Sequence, residues 1–549
     1  VIGFRYEFDL RGITNLPTYT FLEDVTDQQL SAILELNTPG LNVEASTVRE
    51  YHTKYAAHIL GYLGGMNDSQ WAEYKDQGYT MDAKVGQTGF ELAFEEYLHG
   101  IDGTRYDEVN KSGATTKSYY TKEPVAGNSV ETTIDIKIQE VAEKALDSVM
   151  AKIKDPEQNT STAGEGLDAE GAAVIVMECQ TGKILACASY PTFNLATMYE
   201  DWAEIEADPL KPFFNRAFGA EYPPGSSFKM CTLISAMEHR NKSGEFIHPY
   251  GTRIEDKGVF TKYEGFAPTC LAWTSGHFVH TAFDGSPGGI DATDALCYSC
   301  NYFFYVLGDL NNEENMSETC KELGLGVPTG IELVEKTGRL NTSEVKRKVY
   351  GSGVNGNFSA GDRVLGAIGQ GEYRFTPLQL CVYASTLANK GTRMKATFLS
   401  RVVSSDYRTL IKENQPEIAN RLEMASTTIE SYWTGMRKVV TQMGGTATAY
   451  FGGPKDLYGE GDGVWPLKDE VLVYAKTGTA QHASLGSDHG AFICFAQKKD
   501  AAAPDIAIAL YGEKVAHGSW LAPVAEQILL SYYEMDAASE VTAFENQAG

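Results

Sequence analysis

Gly171-Ala172-Ala173-Val174-Ile175-Val176-Met177 is a continuous apolar run of strand length. Thr181-Gly182-Lys183 reads as a turn, and Ile184-Leu185-Ala186-Cys187-Ala188 as the returning strand. The two make a buried hairpin. Far downstream, Gly490 to Ala496 and Asp505 to Tyr511 form another strand pair, and a final helix runs from about Ala522 to Tyr533. Strands at both ends of one domain, with helical stretches between, imply an α+β fold: an antiparallel sheet covered by helices. No internal repeat is present.

Upstream of this hairpin the texture differs. Residues 1–165 mix short strands with Gly-rich and charged turns, and read as a separate N-terminal domain, with 166–549 as the second. Ile138, Val141, Ala145, Leu146 and Val149 recur at helical spacing between about Lys137 and Lys154. Asp155 to Glu170 is rich in Ser, Thr, Gly, Glu and Asp, and reads as the linker. The length of 549 residues itself favours two or three domains. No run of eighteen apolar residues is present to span a bilayer. The opening Val1-Ile2-Gly3 starts in mid-pattern and reads as a fragment that has lost its natural start.

With 73 acidic and 46 basic residues, the net charge of -27 repels phosphate backbones, so nucleic acid is excluded as a partner. Nine cysteines, an odd number in a large chain, argue against a disulfide framework. Several, such as Cys187 and Cys494, sit in apolar runs and read as small buried hydrophobes.

Three short motifs stand in order: Ser226-Ser227-Phe228-Lys229, Ser299-Cys300-Asn301 and Lys476-Thr477-Gly478-Thr479. Each alone is weak. Together they supply a nucleophile, its base, a proton shuttle and an anion-binding strand, the parts needed for acyl transfer through a serine ester. Pro223-Pro224-Gly225 ends the incoming chain, which puts Ser226 at a helix N-terminus and Lys229 one turn on. Lys229 works as a base only when neutral, so burial and a second cation, Lys476, must depress its pKa. Ser299 and Asn301 share no helical face, and a loop between two helices would aim both into a cleft. Val471 to Ala475 is a strand leading into Lys476. Gly478 would let a substrate backbone lie close to that strand. The Ser226 and Thr479 N–H groups would form an oxyanion hole.

The chain resembles the class B penicillin-binding proteins. Besides the three motifs, the resemblance rests on Ala56-Ala57-His58-Ile59-Leu60-Gly61-Tyr62-Leu63-Gly64, Gly86-Gln87-Thr88-Gly89-Phe90-Glu91, Thr133-Ile134-Asp135, Asn215-Arg216-Ala217, Ala367-Ile368-Gly369-Gln370-Gly371 and Thr376-Pro377-Leu378-Gln379. It implies an N-terminal pedestal or dimerisation-like domain and a penicillin-binding transpeptidase domain of serine β-lactamase-like fold. It implies an enzyme on the cell membrane with an extracytoplasmic catalytic domain, held by an N-terminal anchor missing from this stretch. Ser226 would attack the penultimate D-Ala of a peptidoglycan stem peptide, release the terminal D-Ala and pass the acyl group to a neighbouring amine. β-Lactam antibiotics would acylate the same serine. The subtype is similar to the elongation or sporulation kind, and the implied partner is a membrane glycosyltransferase of the cell-shape machinery. A D,D-carboxypeptidase or β-lactamase-type hydrolase, and a non-catalytic β-lactam sensor, are the competing readings.

Residues 270–300 depart from that pattern. Cys270, His277, His280, Asp284, Cys297 and Cys300 fall within about thirty residues. The chemistry needs no cofactor, but a structural zinc site is a reading of this stretch, with His280, Asp284, Cys297 and Cys300 as ligands and His277 and Cys270 as alternates. It would pin the loop behind Ser299. Buried free thiols with surface histidines are the other reading.

Overall fold

The computed structural model describes Arg5 and residues 20–547, except 23–24, 37, 39–40, 42, 44–47, 82, 112–114, 160, 162, 452–464 and 482–485, and except the side chains of 109 and 535–547. The opening Val1-Ile2-Gly3 lies outside the described residues. The chain forms two compact units, one of 1–52, 66–83 and 100–127, the other of 53–65, 84–99 and 128–549, so these units do not divide at 165 as read from the sequence: the helix before it packs Ile138, Ala142, Leu146 and Met150 into a core of the second unit.

In the first unit, Asp27–Leu36 and Asp68–Tyr74 are helices. Asn67 starts the second of these in a reciprocal capping box with Gln70. Thr104–Val109 and Thr115–Lys122 pair antiparallel, with Tyr106 stacked across the ladder on Tyr119 at 6.0 Å.

The second unit is built on a five-stranded antiparallel sheet. Among its elements, in chain order, are α1 (Ile136–Lys154), β1 (Ala172–Glu178), β2 (Ile184–Tyr190), α2 (Lys229–Glu238), α3 (Ala292–Cys297), α4 (Asn301–Leu310), α5 (Pro377–Ala388), α6 (Ser426–Thr441), β3 (Val471–Ala480), β4 (His489–Lys498), β5 (Ile506–Gly512) and α7 (Ala522–Gln547). The strand order is β3-β4-β5-β1-β2. The hairpin β1–β2 and the late strands therefore meet where β5 pairs β1, with Ala509 opposite Ile175.

Side chains alternate across a strand. Ala173, Ile175 and Met177 enter one core with Ile493, Phe495, Ala507 and Ala509. Ala172, Val174 and Val176 enter the opposite core with Phe492, Cys494, Ile506, Ile508 and Leu510. Both faces are dry, which is why β1 shows no polar alternation. Every residue of α5 is buried against the first face. It opens at Thr376 with a capping box to Gln379 and Pro377 at its first position. Residues of α1 and α7 cover the second face. Each fully buried Val, Ile or Leu contributes roughly 1.5–3 kcal/mol, so the double-sided sheet is a rigid base for whatever its edge carries. That edge is β3.

The stretches Ala56 to Gly64 and Gly86 to Glu91 pack on one another in this unit. A Cβ on Gly61, at φ +78°, would stand 1.9 Å from the Thr88 carbonyl oxygen, so only glycine fits there.

Candidate active site

Ser226 lies in the 3-10 turn Gly225–Phe228, which leads directly into α2. Gly225 has φ +54°, and a Cβ there would meet the Thr479 carbonyl oxygen at 2.5 Å. A Cβ on Gly478 would come within 2.9 Å of Pro224 O and 3.0 Å of Ser227 N. These two glycines let the serine turn lie directly on β3. Gly478 thus makes room for the nucleophile's own backbone. The turn is tied down from several sides. Tyr511 Oη donates to Pro223 O (3.1 Å), Ser227 Oγ to Pro224 O (2.7 Å) and Gly225 N to Gly369 O (3.1 Å). Ser227 is buried, whereas Ser226 keeps a partly exposed side chain.

Lys229 and Lys476 are both fully buried. Lys229 Nζ donates to Ser299 O (2.7 Å), Ser299 Oγ (3.1 Å) and Asn301 Oδ1 (2.7 Å). Lys476 Nζ donates to Ser299 Oγ (2.9 Å) and Thr477 O (2.9 Å). One hydroxyl thus bridges the two amines. Burial holds Lys229 down to about 8, against the opposing pull of the Cys270 and Cys300 sulfurs. Burial first, and the Lys229 charge second, hold Lys476 well below the usual lysine range.

Ser299 reaches both lysines because the chain breaks there. Helix α3 ends at Cys297, Ser299 takes φ +56°, and Cys300 N-caps α4 by accepting the Phe303 N–H on its sulfur (3.5 Å). Asn301 is then the first residue of α4. Helix α6 holds this junction. Lys438 Nζ donates to Thr293 Oγ1 (2.7 Å) and Asp294 Oδ1 (2.6 Å), and Arg437 reaches Val473 O on β3 (2.9 Å). Just past α6, Thr446 Oγ1 lies 2.6 Å from Thr477 Oγ1.

Beside Asn301 sits a second cluster. One ligand atom from each of Asp256, Cys270, His280 and Cys300 lies within 4.8 Å of the other three. The Cys270 sulfur is 3.9 Å from that of Cys300 and 3.7 Å from His280 Nδ1. Cys300 Sγ is 3.5 Å from Asp256 Oδ2, which also bonds His280 Nδ1 at 2.7 Å. Zinc bond lengths of about 2.0–2.3 Å in a tetrahedron put ligand atoms roughly 3.3–3.8 Å apart. Three of these four contacts are close to that range, and the fourth is a direct His–carboxylate hydrogen bond. Two sulfurs, one nitrogen and one oxygen, nearly all buried, suit Zn²⁺. Contact with Cys300, opposed by burial and helped by His280, holds the Cys270 thiol below its usual range. Burial works against charge on His280, yet the Asp256 and Cys270 bonds outweigh it and raise it to about 9.

The model for the penicillin binding protein transpeptidase domain matches residues 172–530, and that for the penicillin-binding protein dimerisation domain matches 9–132. The chain belongs to the penicillin-binding protein transpeptidase family. It is 26% identical over 512 residues to a peptidoglycan D,D-transpeptidase MrdA of Acinetobacter baumannii, covering 89% of this chain and 66% of that one. A solved Helicobacter pylori penicillin-binding protein PBP2, in complex with MreC, shares its fold with TM-score 0.68 at 23% identity, over 88% of this chain and 78% of that one. A structure titled as a peptidoglycan synthase complex coordinating polymerisation and crosslinking gives TM-score 0.71 at 24% identity, over 97% and 85%.

Within this penicillin-binding protein, the eight residues of the serine motifs converge on one place: Ser226 and Lys229 on the turn and α2, Ser299 and Asn301 at the α3–α4 junction, and Lys476, Thr477, Gly478 and Thr479 on β3. The expected zinc set is corrected. His280 and Cys300 meet, but Asp284 and Cys297 do not join them. Asp284 is an exposed carboxylate paired with Arg253 (3.2 Å) and Ser286 N (2.9 Å). Cys297 donates to Lys438 O (3.4 Å), and burial pushes its thiol up to about 12. The reason is the break at Ser299: Cys297 and Cys300 would share a helical face only if α3 continued. Cys270, an alternate, joins the cluster, while His277 is exposed against Trp273 (5.1 Å). Asp256 is the member of the cluster that the sequence concealed. It stands fourteen residues before Cys270, between Glu255 and Lys257, where nothing local marks it.

Proposed function

We propose that this chain is a serine D,D-transpeptidase that cross-links peptidoglycan stem peptides through an acyl-enzyme on Ser226. The observation that carries this is Ser299 Oγ shared by two buried lysines, one of them held to about 8 and one helical turn from Ser226. The family membership and the named D,D-transpeptidase relative support the reaction class, although the chain spans only about two thirds of that relative's length.

Two ammonium groups on one buried hydroxyl repel, so one amine is neutral near physiological pH. In the free chain the three acceptors around Lys229 favour the proton there. A donor peptide brings its terminal carboxylate to Lys476, Thr477 and Thr479. That anion favours ammonium at Lys476 and leaves Lys229 as free base. Ser226 Oγ then attacks the penultimate D-Ala carbonyl while its proton passes to Lys229 Nζ. The N–H groups of Ser226 and Thr479 receive the developing oxyanion, a donor pair of which each member is typically worth ~10²–10³ in rate. The C–N bond breaks as Ser299 relays a proton to the leaving D-Ala amine. An amine from a neighbouring stem repeats the steps in reverse order and forms the cross-link. Penicillins enter the same path and stop at the ester.

The cluster of Asp256, Cys270, His280 and Cys300 is read as a structural Zn²⁺ site that fixes the α3–α4 junction. Bound there, the metal supplies rigidity and no step of the chemistry. Among the described residues no helix is long and apolar enough to cross a membrane. Placement at the membrane with an extracytoplasmic catalytic unit is what the family resemblance implies, and partnership with an MreC-like scaffold and a glycan polymerase follows the two named complexes. The test is fluorescent penicillin. A labelled ester on Ser226 that persists for many minutes is expected. Turnover within seconds would convert the assignment to a hydrolase.

A further inference from the structure

The ligand set contains two thiols rather than one, and they are neighbours. Their sulfurs lie 3.9 Å apart, and each residue N-caps its own helix, Cys270 that of Leu271–Gly276 and Cys300 that of α4. A disulfide has a sulfur–sulfur length of about 2.05 Å, so closing the pair moves the sulfurs together by nearly 2 Å. Both sulfurs would be consumed as metal ligands. Cys270 and Cys300 are themselves fully buried, and the His280 side chain beside them is 12% exposed.

The position of Cys300 decides what closure does. The residue before it supplies two of the acceptors around Lys229, and the residue after it supplies the third. Its sulfur also accepts the Phe303 N–H at the start of α4. No other thiol of the described chain lies between the groups that orient the general base.

We propose that Cys270 and Cys300 form a site of reversible oxidative modification, in which a peroxide closes a disulfide, displaces the structural metal and disorders the Ser299–Asn301 cradle of Lys229. Chemically, the Cys270 sulfur attacks a peroxide oxygen. The S–O bond forms, the O–O bond breaks and one water leaves after protonation. Cys300 then attacks the resulting sulfenic sulfur, the S–O bond breaks and a second water leaves. The two thiols are oxidised by two electrons and hydrogen peroxide is reduced to two waters. An extracytoplasmic setting exposes the pair to such oxidants. The metal part rests on the zinc reading above, whereas the thiol part stands on the geometry alone.

The experiment uses the whole chain, purified reduced and supplied with one equivalent of Zn²⁺, then treated with hydrogen peroxide. Zinc release is followed with a chromophoric chelator, the bond by intact mass and peptide mapping, and the active site by the rate of penicillin acylation. Mapping also separates this pair from Cys231 and Cys320, whose sulfurs lie 3.7 Å apart. The expected result is zinc release in step with a Cys270–Cys300 cross-link. Acylation should fall at least tenfold with it and recover on reduction and zinc addition. Cys270→Asp keeps a ligand oxygen but cannot close the bond. Under the same peroxide dose it should keep its zinc and its own untreated rate. Release without the cross-link, a cross-link that leaves acylation unchanged, or an equal loss in Cys270→Asp would overturn the proposal. If the reduced protein takes up no zinc, the metal reading alone fails, and the cross-link and acylation rate still decide the switch.

Discussion

The two sides of the active site are built differently. On one, the Ser226 turn lies on the edge strand β3, so the distance between nucleophile and Lys476 is set by a sheet buried on both faces. On the other, Ser299 and Asn301 sit at a break between two helices, backed by a loop from Asp256 to His280 that has little regular structure. The first side inherits rigidity from packing. The second needs a fastener, and the Asp256–Cys270–His280–Cys300 cluster is where one fits. A catalytic group on a sheet edge is placed by the core, and one on a loop by local bonds.

The most severe way to probe the sheet side is Ser226→Ala. Acylation by fluorescent penicillin should fall by about 10⁴-fold or more, since no other group can form the ester. The circular dichroism spectrum should not change, because the removed hydroxyl holds no part of the core. Labelling at the wild-type rate would remove Ser226 from the mechanism.

On the loop side, Asp256→Ala should lower zinc affinity by at least about 10²-fold by deleting a ligand, while Asp284→Ala should leave zinc stoichiometry at wild-type level. Plasma mass spectrometry on protein purified without added metal reads both. Equal zinc in the two variants would break the contrast drawn between the sides.

The same contrast explains what could be read from the chain alone. The strands of β1, β2, β4 and β5 were visible because a sheet dry on both faces demands uninterrupted apolar runs. The serine motifs were visible because strand and helix start fix their spacing. The members of the Asp256–Cys270–His280–Cys300 cluster were half visible. His280 and Cys300 carry the right chemistry in the right stretch, but the left-handed Ser299 breaks the helical spacing that seemed to join Cys297 to Cys300. Asp256 joins through a loop path that no periodicity encodes. Lys438 and Thr446, which brace the site from α6 and just beyond it, lie far from every motif and gave no signal of their own.

Gly478→Ala tests whether the serine turn truly rests on β3. The added Cβ would press on Pro224 O at 2.9 Å and Ser227 N at 3.0 Å, and both are backbone atoms that cannot step aside. Displacing the nucleophile by a fraction of an ångström should cost about 10²-fold in acylation. Unchanged kinetics would mean that the turn has slack the sheet does not impose.

The pH profile probes the link between the sides, because the base belongs to one and its acceptors to the other. Burial lowers the Lys229 pKa to about 8. Its neutral, working form is therefore lost as pH falls below that value. Acylation at limiting penicillin should rise about tenfold per unit up to pH about 8 and then level. A flat profile from pH 6 to 9 would take the base role away from Lys229.

The smallest effect should come from Thr446→Ala. The Thr446 hydroxyl is 2.6 Å from that of Thr477, which is 8% exposed and stands beside Lys476 on β3. Deleting one neutral hydrogen bond costs about 1 kcal/mol, or roughly fivefold in rate if the bond acts by aiming Thr477 at the substrate carboxylate. The loss should then fall mainly on binding of carboxylate-bearing substrates. Thr446→Ser, which restores the hydroxyl, should recover most of it. If Thr446→Ser is as impaired as Thr446→Ala, the missing methyl is what matters, and β3 at this point is positioned by packing alone.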